Sequence, residues 1–490
     1  MIPQINPEEE VERFLKVFLP GTFWENRIKA VGGYPRDQYL RLFLNDPSIE
    51  AKDLDLIVVE VQDGAEKATH FIFDHFKDAK PDPISTPRQM GAGYPIWQIT
   101  FKEDVTHRGE SFKTQGAVIE FADTMADIHP EKESRQRITR PGTLKEDIAR
   151  RDFLPNMLLK DMTTGEFEDP TGQSKFCIEK GIIRGHPDYA CMDEIFDNDP
   201  LRMIRLARFS AKFGWSIPLT VLRSAKRQAA RIKIVSAERI MGELEKVMVL
   251  GKLEKAIRIM SVTGLLKFVM PEIEALKGVK QNPKWHNEGD VFEHTMMVLK
   301  WAPAGVESQM AALLHDIGKP ATTELINGEI RSHKHEDVGA DMAESLMKRL
   351  KFKNELIDNI KVIIRNHMRP HHLMDGNSKA VRKFIRDIGE NLVESVLTLA
   401  EADELGRIPS SHDIPALRKR IEEIRQKEEV KKEPILNGLE IMALLNISTG
   451  TEVGRAKKLL IEIGDDFFEL GKVLTKEVAK EELIKKFDKV

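Results

Sequence analysis

Cysteine is nearly absent from this chain of 490 residues, whose two thiols are Cys177 and Cys191. Neither has a C-x-x-C partner, so a zinc ribbon and a disulfide framework are both excluded and a packing role is expected of each. Also missing is any apolar run long enough to cross a bilayer. Residues 1 to 10 are acidic and contain proline, where a secretory signal would be basic and then apolar. A cytoplasmic protein without a membrane partner is expected. No sign of charge dominates: the net charge is −4, with 41% hydrophobic and 31% charged residues. Any contact with nucleic acid must therefore come from local basic faces. There is no fixed-period repeat and no low-complexity tract.

What is present starts near the N-terminus. An apolar segment, Ile28 to Val31, runs into Gly32-Gly33, then Arg36 and Asp37; further on, Asp53-Leu54-Asp55 heads the apolar run Leu56 to Val59. Paired glycines end a strand in a turn free of β-carbons, which lets backbone N–H groups approach a phosphate at the start of a helix. If Asp53 and Asp55 share a strand, period two puts both carboxylates on one face, where they can hold a divalent metal. A lone Gly-Gly is usually only a turn, and D-x-D usually a solvated strand end. The order of the pieces gives metal and phosphate sites a common edge and points to nucleotidyl transfer.

The length suggests about three or four units. From Ile28 to Asp123 the pattern is mixed, with strand-like runs at Leu56 to Val61, Tyr94 to Phe101 and Ala117 to Phe121 around a turn-rich stretch, Pro81 to Gly93. From Thr143 onward it is helical with few strand signals, including Asp199 to Phe213 and Ala237 to Val249. Gly376 and Pro434 punctuate a helical remainder.

Three motifs lie in the middle. Asp147-x-x-Arg150-Arg151-Asp152-Phe153 offers two guanidinium forks suited to triphosphate oxygens, with Asp152 able to orient one. In Asn198-Asp199-Pro200-Leu201-Arg202-x-x-Arg205, Pro200 fits the first helical position and Asp199 the N-cap. Asp199 and Arg202 also form an acceptor and donor pair that can read a base edge. Arg239 and Glu243, four apart, are expected to form a salt bridge within one helix. Arg223, Lys226, Arg227 and Arg231 recur at helical spacing as a cationic stripe that RNA could use.

The ordered series Gly32-Gly33-x-x-Arg36-Asp37, Asp53-x-Asp55, Asp147 to Phe153, Asp199-Pro200-Leu201-Arg202 and Glu238-Arg239-x-x-x-Glu243 resembles the motifs of class II tRNA nucleotidyltransferases and bacterial poly(A) polymerases. The resemblance implies Mg2+ on Asp53 and Asp55. It implies nucleotide contacts from Gly32, Gly33, Arg36, Arg150, Arg151, Asp152 and Arg205, and selection of CTP then ATP by Asp199 and Arg202. With tRNA as the substrate the cationic stripe is expected to contact it through Arg223, Arg227 and Arg231, and Glu120 falls where the family has a further acidic residue. Asn198 stands where the family usually has Glu, and Leu154-Pro155-Asn156 follow Phe153 in place of Thr-x-Asn, which keeps a partial enzyme adding only CC or only A open.

A second constellation follows. His294, the adjacent pair His315-Asp316 on an apolar helix, His335, His367 and Asp403 accumulate in one helical region. Burying such groups without a metal or a hydrogen-bond network is costly, and imidazole with carboxylate suits a hydrolytic divalent metal. The region resembles an HD-family phosphohydrolase domain. That implies a metal on His294, His315, Asp316 and Asp403, with His335 and His367 as a second position, and Ni, Mn, Co, Fe or Mg as the ion.

The resemblance implies a multidomain chain: an α/β nucleotidyltransferase head (1–145) with a small mixed or antiparallel sheet, an all-α neck and body (146–283), an all-α HD domain (284–410) and a helical tRNA-binding tail (411–490). Its tail carries as many acidic as basic residues, unlike the strongly basic tails of poly(A) polymerases. The expected activity is template-independent CCA addition to tRNA from CTP and ATP, with a phosphohydrolase acting on 2′,3′-cyclic phosphates, 2′-nucleotides or phosphate esters. Poly(A) polymerase is the nearest alternative; an HD hydrolase with a non-catalytic RNA-binding head is one of another class.

Overall fold

The computed structural model describes residues 6–79, 81–91, 95–128, 138–188, 192–374, 376–408, 413–427, 435–470 and 472–487. Tyr94, Cys191 and Pro434 lie outside them. The chain divides into two compact units, Met1–Pro271 and Glu272–Val490.

The first unit opens with α1 (Pro7–Phe18), capped by Asn6, whose side chain accepts the Glu8 N–H. A seven-stranded mixed sheet follows, built from β1 (Ile28–Val31), β2 (Asp55–Val58), β3 (Arg88–Met90), β4 (Ile96–Thr100), β5 (Val118–Asp123), β6 (Leu159–Asp161) and β7 (Phe167–Glu168). Its order is β7-β6-β1-β2-β5-β4-β3. β2 and β5 run parallel, pairing Asp55 with Glu120, and the other neighbours are antiparallel. Along β2 the side chains alternate between two cores. Leu56 and Val58 join Phe14, Leu15 and Phe121, while Ile57 and Val59 join Ile148, Leu154 and Met157. The sheet is thus covered on both faces, and the end of β1 at Val31, the start of β2 at Asp55 and Glu120 on β5 are paired side by side.

Several sequence expectations shift here. β2 stops at Val58 rather than Val61, and Glu60 takes φ 60°, which no strand continues through. β6 and β7 lie in the stretch expected to be helical; β6 pairs with β1 on the side away from β2, so the start of the expected neck completes the head sheet. Short two-residue to four-residue pairings carry little pattern, and their burial comes from the neighbours.

Helices dominate the rest of the unit: α2 (Gly33–Leu44), α3 (Gly64–Phe76), α4 (Leu144–Ala149), α5 (Leu201–Phe213), α6 (Leu219–Gln228) and α7 (Ala237–Met248). α4 starts in a capping box, with Thr143 and Glu146 satisfying each other's backbone N–H. α5 begins at Leu201, with Pro200 as its N-cap, so Asp199 lies one residue further out than expected. The basic stripe is also broken: α6 ends at Gln228, and Arg231 sits in a 3-10 turn over Ala229–Ile234.

The second unit is mainly helical, with α8 (Val291–Trp301), α9 (Val306–Leu314), α10 (His335–Arg349), α11 (Asn354–Asn366) and α12 (Glu390–Gly406) around one core. It is not wholly α. Thr323–Ile326 and Glu329–Ser332 form a hairpin across Asn327-Gly328, both at positive φ, the turn chemistry that two-residue hairpins require. A small cluster around Leu436, Ile441, Leu460 and Leu483 packs the last three helices.

Candidate functional site

The sheet edge of the first unit opens on a cleft of about 1500 Å³ that Gly32, Asp53, Asp55, Glu120, Arg151 and Asp199 help to line. Gly32 has φ 75° and caps α2, which begins at Gly33 with its first N–H groups unpaired within the helix. A β-carbon on Gly32 would sit 3.8 Å from Asp55 Oδ2, so the turn and the carboxylate share one corner of the cleft.

Asp53 departs from the sequence expectation. It has φ 59° and lies before β2, which starts at Asp55, so a common strand face does not relate the two carboxylates. A turn closed by the Asp55 N–H on Asp53 O, at 2.9 Å, brings them together instead. Partial desolvation on the cleft floor, then Glu120 and Asp53, push the exposed Asp55 carboxyl up to about 6, against the pull of Arg151. Glu120 accepts a hydrogen bond from Gln98 at 3.0 Å. Three carboxylates converging on one corner of the cleft are a donor set that fits a hard divalent cation. It is a looser set than those of the second unit: among the described residues the compact ligand triads do not include Asp53 or Asp55.

The arginine pair is organised by Asp147, not by Asp152. Asp147 is fully buried and accepts from Arg150 Nε and Nη2 at 2.9 and 2.8 Å and from Arg151 Nε and Nη2 at 3.1 and 2.7 Å. Burial raises its proton affinity, but the guanidinium groups of Arg151 and Arg150 outweigh that and hold it below the usual range. Positions three and four residues along a helix end were the signal available in the sequence. Asp152 instead pairs with Arg205 at 2.7 Å and accepts from Asn156 at 2.9 Å. Arg36 is buried, bound to Asp37 at 2.6 Å and stacked over Phe213.

Asp199 accepts the Leu201 N–H at 3.2 Å and pairs with Arg239 at 3.2 Å. The expected Arg239–Glu243 bridge is replaced: Glu243 faces Arg208 at 2.6 Å and Arg205 at 3.5 Å, because the buried side of α7 packs on α5. Arg202 is buried and donates to the carbonyls of Ile195 and Arg150. Arg227 pairs with Asp193 and Arg231 with Asp197, while Arg223 is exposed on α6.

In the second unit, one buried group forms around the end of α9. His294 Nε2 lies 3.0 Å from Asp403 Oδ1 and 3.3 Å from His315 Nε2. Asp316 connects this set to a second: Oδ2 is 3.1 Å from His315 and Oδ1 is 3.3 Å from His335, whose Nε2 is 3.3 Å from His367 Nε2. The ring nitrogens decide what the site wants. Nδ1 of His315, His335 and His367 meet the carbonyls of Ala312, Ser332 and Ile364, and a carbonyl only accepts, so each Nδ1 carries the proton. His294 Nδ1 likewise faces Glu288 at 2.9 Å. In the neutral rings every Nε2 lone pair then points inward at another lone pair or a carboxylate, which fits cations seated in the His294–His315–Asp403 and Asp316–His335–His367 triads.

Residues missed in the sequence surround this centre. Lys319 Nζ lies 2.6 Å from Asp316, and with His315 it outweighs burial to hold that carboxyl far below its usual range. Arg407 pairs with Asp403, and His371 lies 3.3 Å from the same carboxylate. Both cations follow their partners at helical spacing, three and four residues on, which was legible. Gly318 permits the approach: a β-carbon there would meet His335 O at 2.2 Å and Gly339 N at 2.7 Å.

Comparison with known proteins bears on both units. A family model described as the probable RNA and SrmB-binding site of polymerase A matches residues 214–277, and an HD domain model matches residues 291–408. The chain is 29% identical over 354 residues to the CC-adding tRNA nucleotidyltransferase of Thermus thermophilus, covering 69% of this chain and 76% of that protein. It is 31% identical over 404 residues to the multifunctional CCA protein of Vibrio cholerae, covering 78% and 87%. Its fold is similar to the crystal structure of the Bacillus stearothermophilus CCA-adding enzyme in complex with CTP, with TM-score 0.63, 17% identity and coverage of 99% and 98%.

Proposed function

Because this chain belongs to the CCA-adding nucleotidyltransferase family and carries an HD domain, we propose that it completes the CCA end of tRNA from CTP and ATP in the first-unit cleft. The chain is a nucleotidyltransferase. The observation that carries the finer reading is the meeting of the Gly32–Gly33 turn, Asp55, the Asp147-held arginines and Asp199 in one cleft.

Asp53 and Asp55, with Glu120 beside them, would hold Mg2+, which when bound supplies Lewis-acid stabilisation of the triphosphate and of the attacking 3′-oxygen. The residues around them do the rest. N–H groups at the start of α2 receive the triphosphate, and Arg150 and Arg151, fixed by Asp147, neutralise its charge as pyrophosphate leaves. The Asp199 carboxylate accepts from the exocyclic amino group that cytosine and adenine share; guanine and uracil present a carbonyl oxygen at that edge and are repelled. Arg36, Asp152, Arg202 and Arg205 hold these walls in place. Exposed Arg223, with Arg227 and Arg231, offers a basic surface for the tRNA backbone. Cytoplasmic tRNA is the substrate.

The HD centre is a phosphohydrolase for phosphate esters such as 2′,3′-cyclic phosphates, supported by its inward lone pairs. Cations on His294, His315, Asp316, Asp403, His335 and His367, of the Mn, Ni, Co, Fe or Mg type, would supply a hydroxide nucleophile at neutral pH. Lys319 and Arg407 keep the Asp316 and Asp403 carboxylates ionised for that ligation.

A tRNA lacking its 3′ end is incubated with each labelled nucleotide and the product sized. Three added nucleotides, C before A, support the reading, and a long A ladder overturns it. Addition of two cytidines alone favours the second reading, a partial enzyme of the kind Asn198 leaves open, as the Thermus thermophilus relative is a CC-adding enzyme. Asp55→Ala abolishes incorporation while leaving tRNA binding intact. Asp316→Ala abolishes hydrolysis of 2′,3′-cyclic AMP and leaves incorporation unchanged.

A further inference from the structure

The loop before α8 places a fully buried carboxylate, Glu288, against the HD centre. Its Oε1 is 2.6 Å from His286 Nδ1 and 2.9 Å from His294 Nδ1, and its Oε2 accepts the Ile408 N–H at 3.1 Å. The loop is pinned there by a second bond, from the Asn287 N–H to Ile408 O at 2.9 Å. Ile408 follows α12, the helix that carries Asp403, so one carboxylate ties together the loop, α8 and the end of α12.

His294 needs that carboxylate for a reason its three fellow imidazoles do not share. His315 and His367 sit at the C-terminal caps of α9 and α11, and His335 at the start of α10, where nearby carbonyls are open to a ring N–H. His294 sits inside the first turns of α8, and the carbonyl four residues back, Asp290 O, already accepts its backbone N–H. A long-range acceptor has to fix its ring. Glu288 supplies it, its side chain buried and its Oε1 placed 2.9 Å from His294 Nδ1. A carboxylate on Nδ1 raises the basicity of Nε2 more than a carbonyl does.

We propose that Glu288 is the positioning residue of the HD centre, setting the metal affinity of the His294–His315–Asp403 triad and not that of the Asp316–His335–His367 triad. It rests on the reading of the HD centre as a metal site. His286 fills a second lone pair of the same oxygen and steadies the loop.

The test is a Mn2+ titration of the full-length protein followed by electron paramagnetic resonance of the free ion, in an Asp55→Ala background so that the head carboxylates do not contribute. The background protein binds Mn2+ at the two triads. Glu288→Gln keeps an acceptor oxygen but loses the charge, and one class of site weakens by about 10- to 100-fold while the other is unchanged. His286→Ala, which leaves Glu288 on His294, stays within about threefold of the background; His335→Ala weakens the other class. Unchanged affinity in Glu288→Gln, or equal losses in both classes and in His286→Ala, overturns the assignment and shows a merely structural loop. Absence of any Mn2+ binding by the background protein overturns the metal reading itself.

Discussion

Replacing Asp147 by Asn tests how the arginine pair is held. Asp147 is buried and accepts four guanidinium N–H groups from Arg150 and Arg151, and its Oδ1 also receives the Met125 N–H at 3.2 Å. Asn keeps one acceptor oxygen but turns the other into an N–H donor facing a guanidinium. At least two charge-assisted bonds are lost, each worth about 1.5–3 kcal/mol, and like partners are left face to face. Breaking a buried pair by removing one partner costs about 3–5 kcal/mol. For a unit of this size that lowers the unfolding midpoint by about 10 °C. The forks also lose their orientation, so the KM for CTP rises by at least about tenfold, the equivalent of about 1.4 kcal/mol of binding. Differential scanning calorimetry and initial rates of labelled CTP incorporation measure the two effects. A midpoint within about 2 °C of wild type together with an unchanged KM would falsify the idea that Asp147 positions the arginines.

Gly318→Ala forces a β-carbon onto His335 O and Gly339 N, both backbone atoms that cannot rotate away. It is expected to cost about 1–3 kcal/mol or more in the second unit and to reduce Mn2+ binding, read by denaturant unfolding and metal titration; normal metal uptake would refute it. Glu12, buried beneath α2, receives Tyr34, Gln38, Lys16 and Lys160, and although burial raises its proton affinity, the two lysines bring it down to about 2 from an ordinary 4.5. A carboxyl depressed on folding stabilises above its unfolded value and loses that contribution as pH falls through the folded one. Between about pH 4.5 and 2 the wild-type protein therefore loses about 3 kcal/mol that Glu12→Gln does not lose. Parallel slopes of unfolding free energy against pH for the two proteins would rule this out.

How much of this was legible can be judged residue by residue. Gly32, the Asp55 strand and the run of β1 could be read because each depends on nearest neighbours: a positive φ, a period of two, a short apolar segment. Period two failed for Asp53, because a left-handed residue takes it off the strand, and nothing in the residue type reports φ. The six candidate residues of the HD region could be named because His and Asp on apolar helices have no cheap alternative. Their grouping could not. Which oxygen of Asp316 faces His315 and which faces His335 depends on how three helices and a loop pack.

By itself, then, the sequence determined the chemical inventory and the local elements that carry it: a glycine turn, an acidic strand end, two arginines, an Asp at a helix start and six buried metal-type ligands. Only the tertiary structure decided the partnerships. Asp152 turns to Arg205, Arg239 meets Asp199 instead of Glu243, and Glu288 meets His294. The physical reason is range. Propensity, capping and periodicity act within a few residues, whereas a hydrogen bond or ion pair is chosen by whichever buried group the packing brings within about 3 Å.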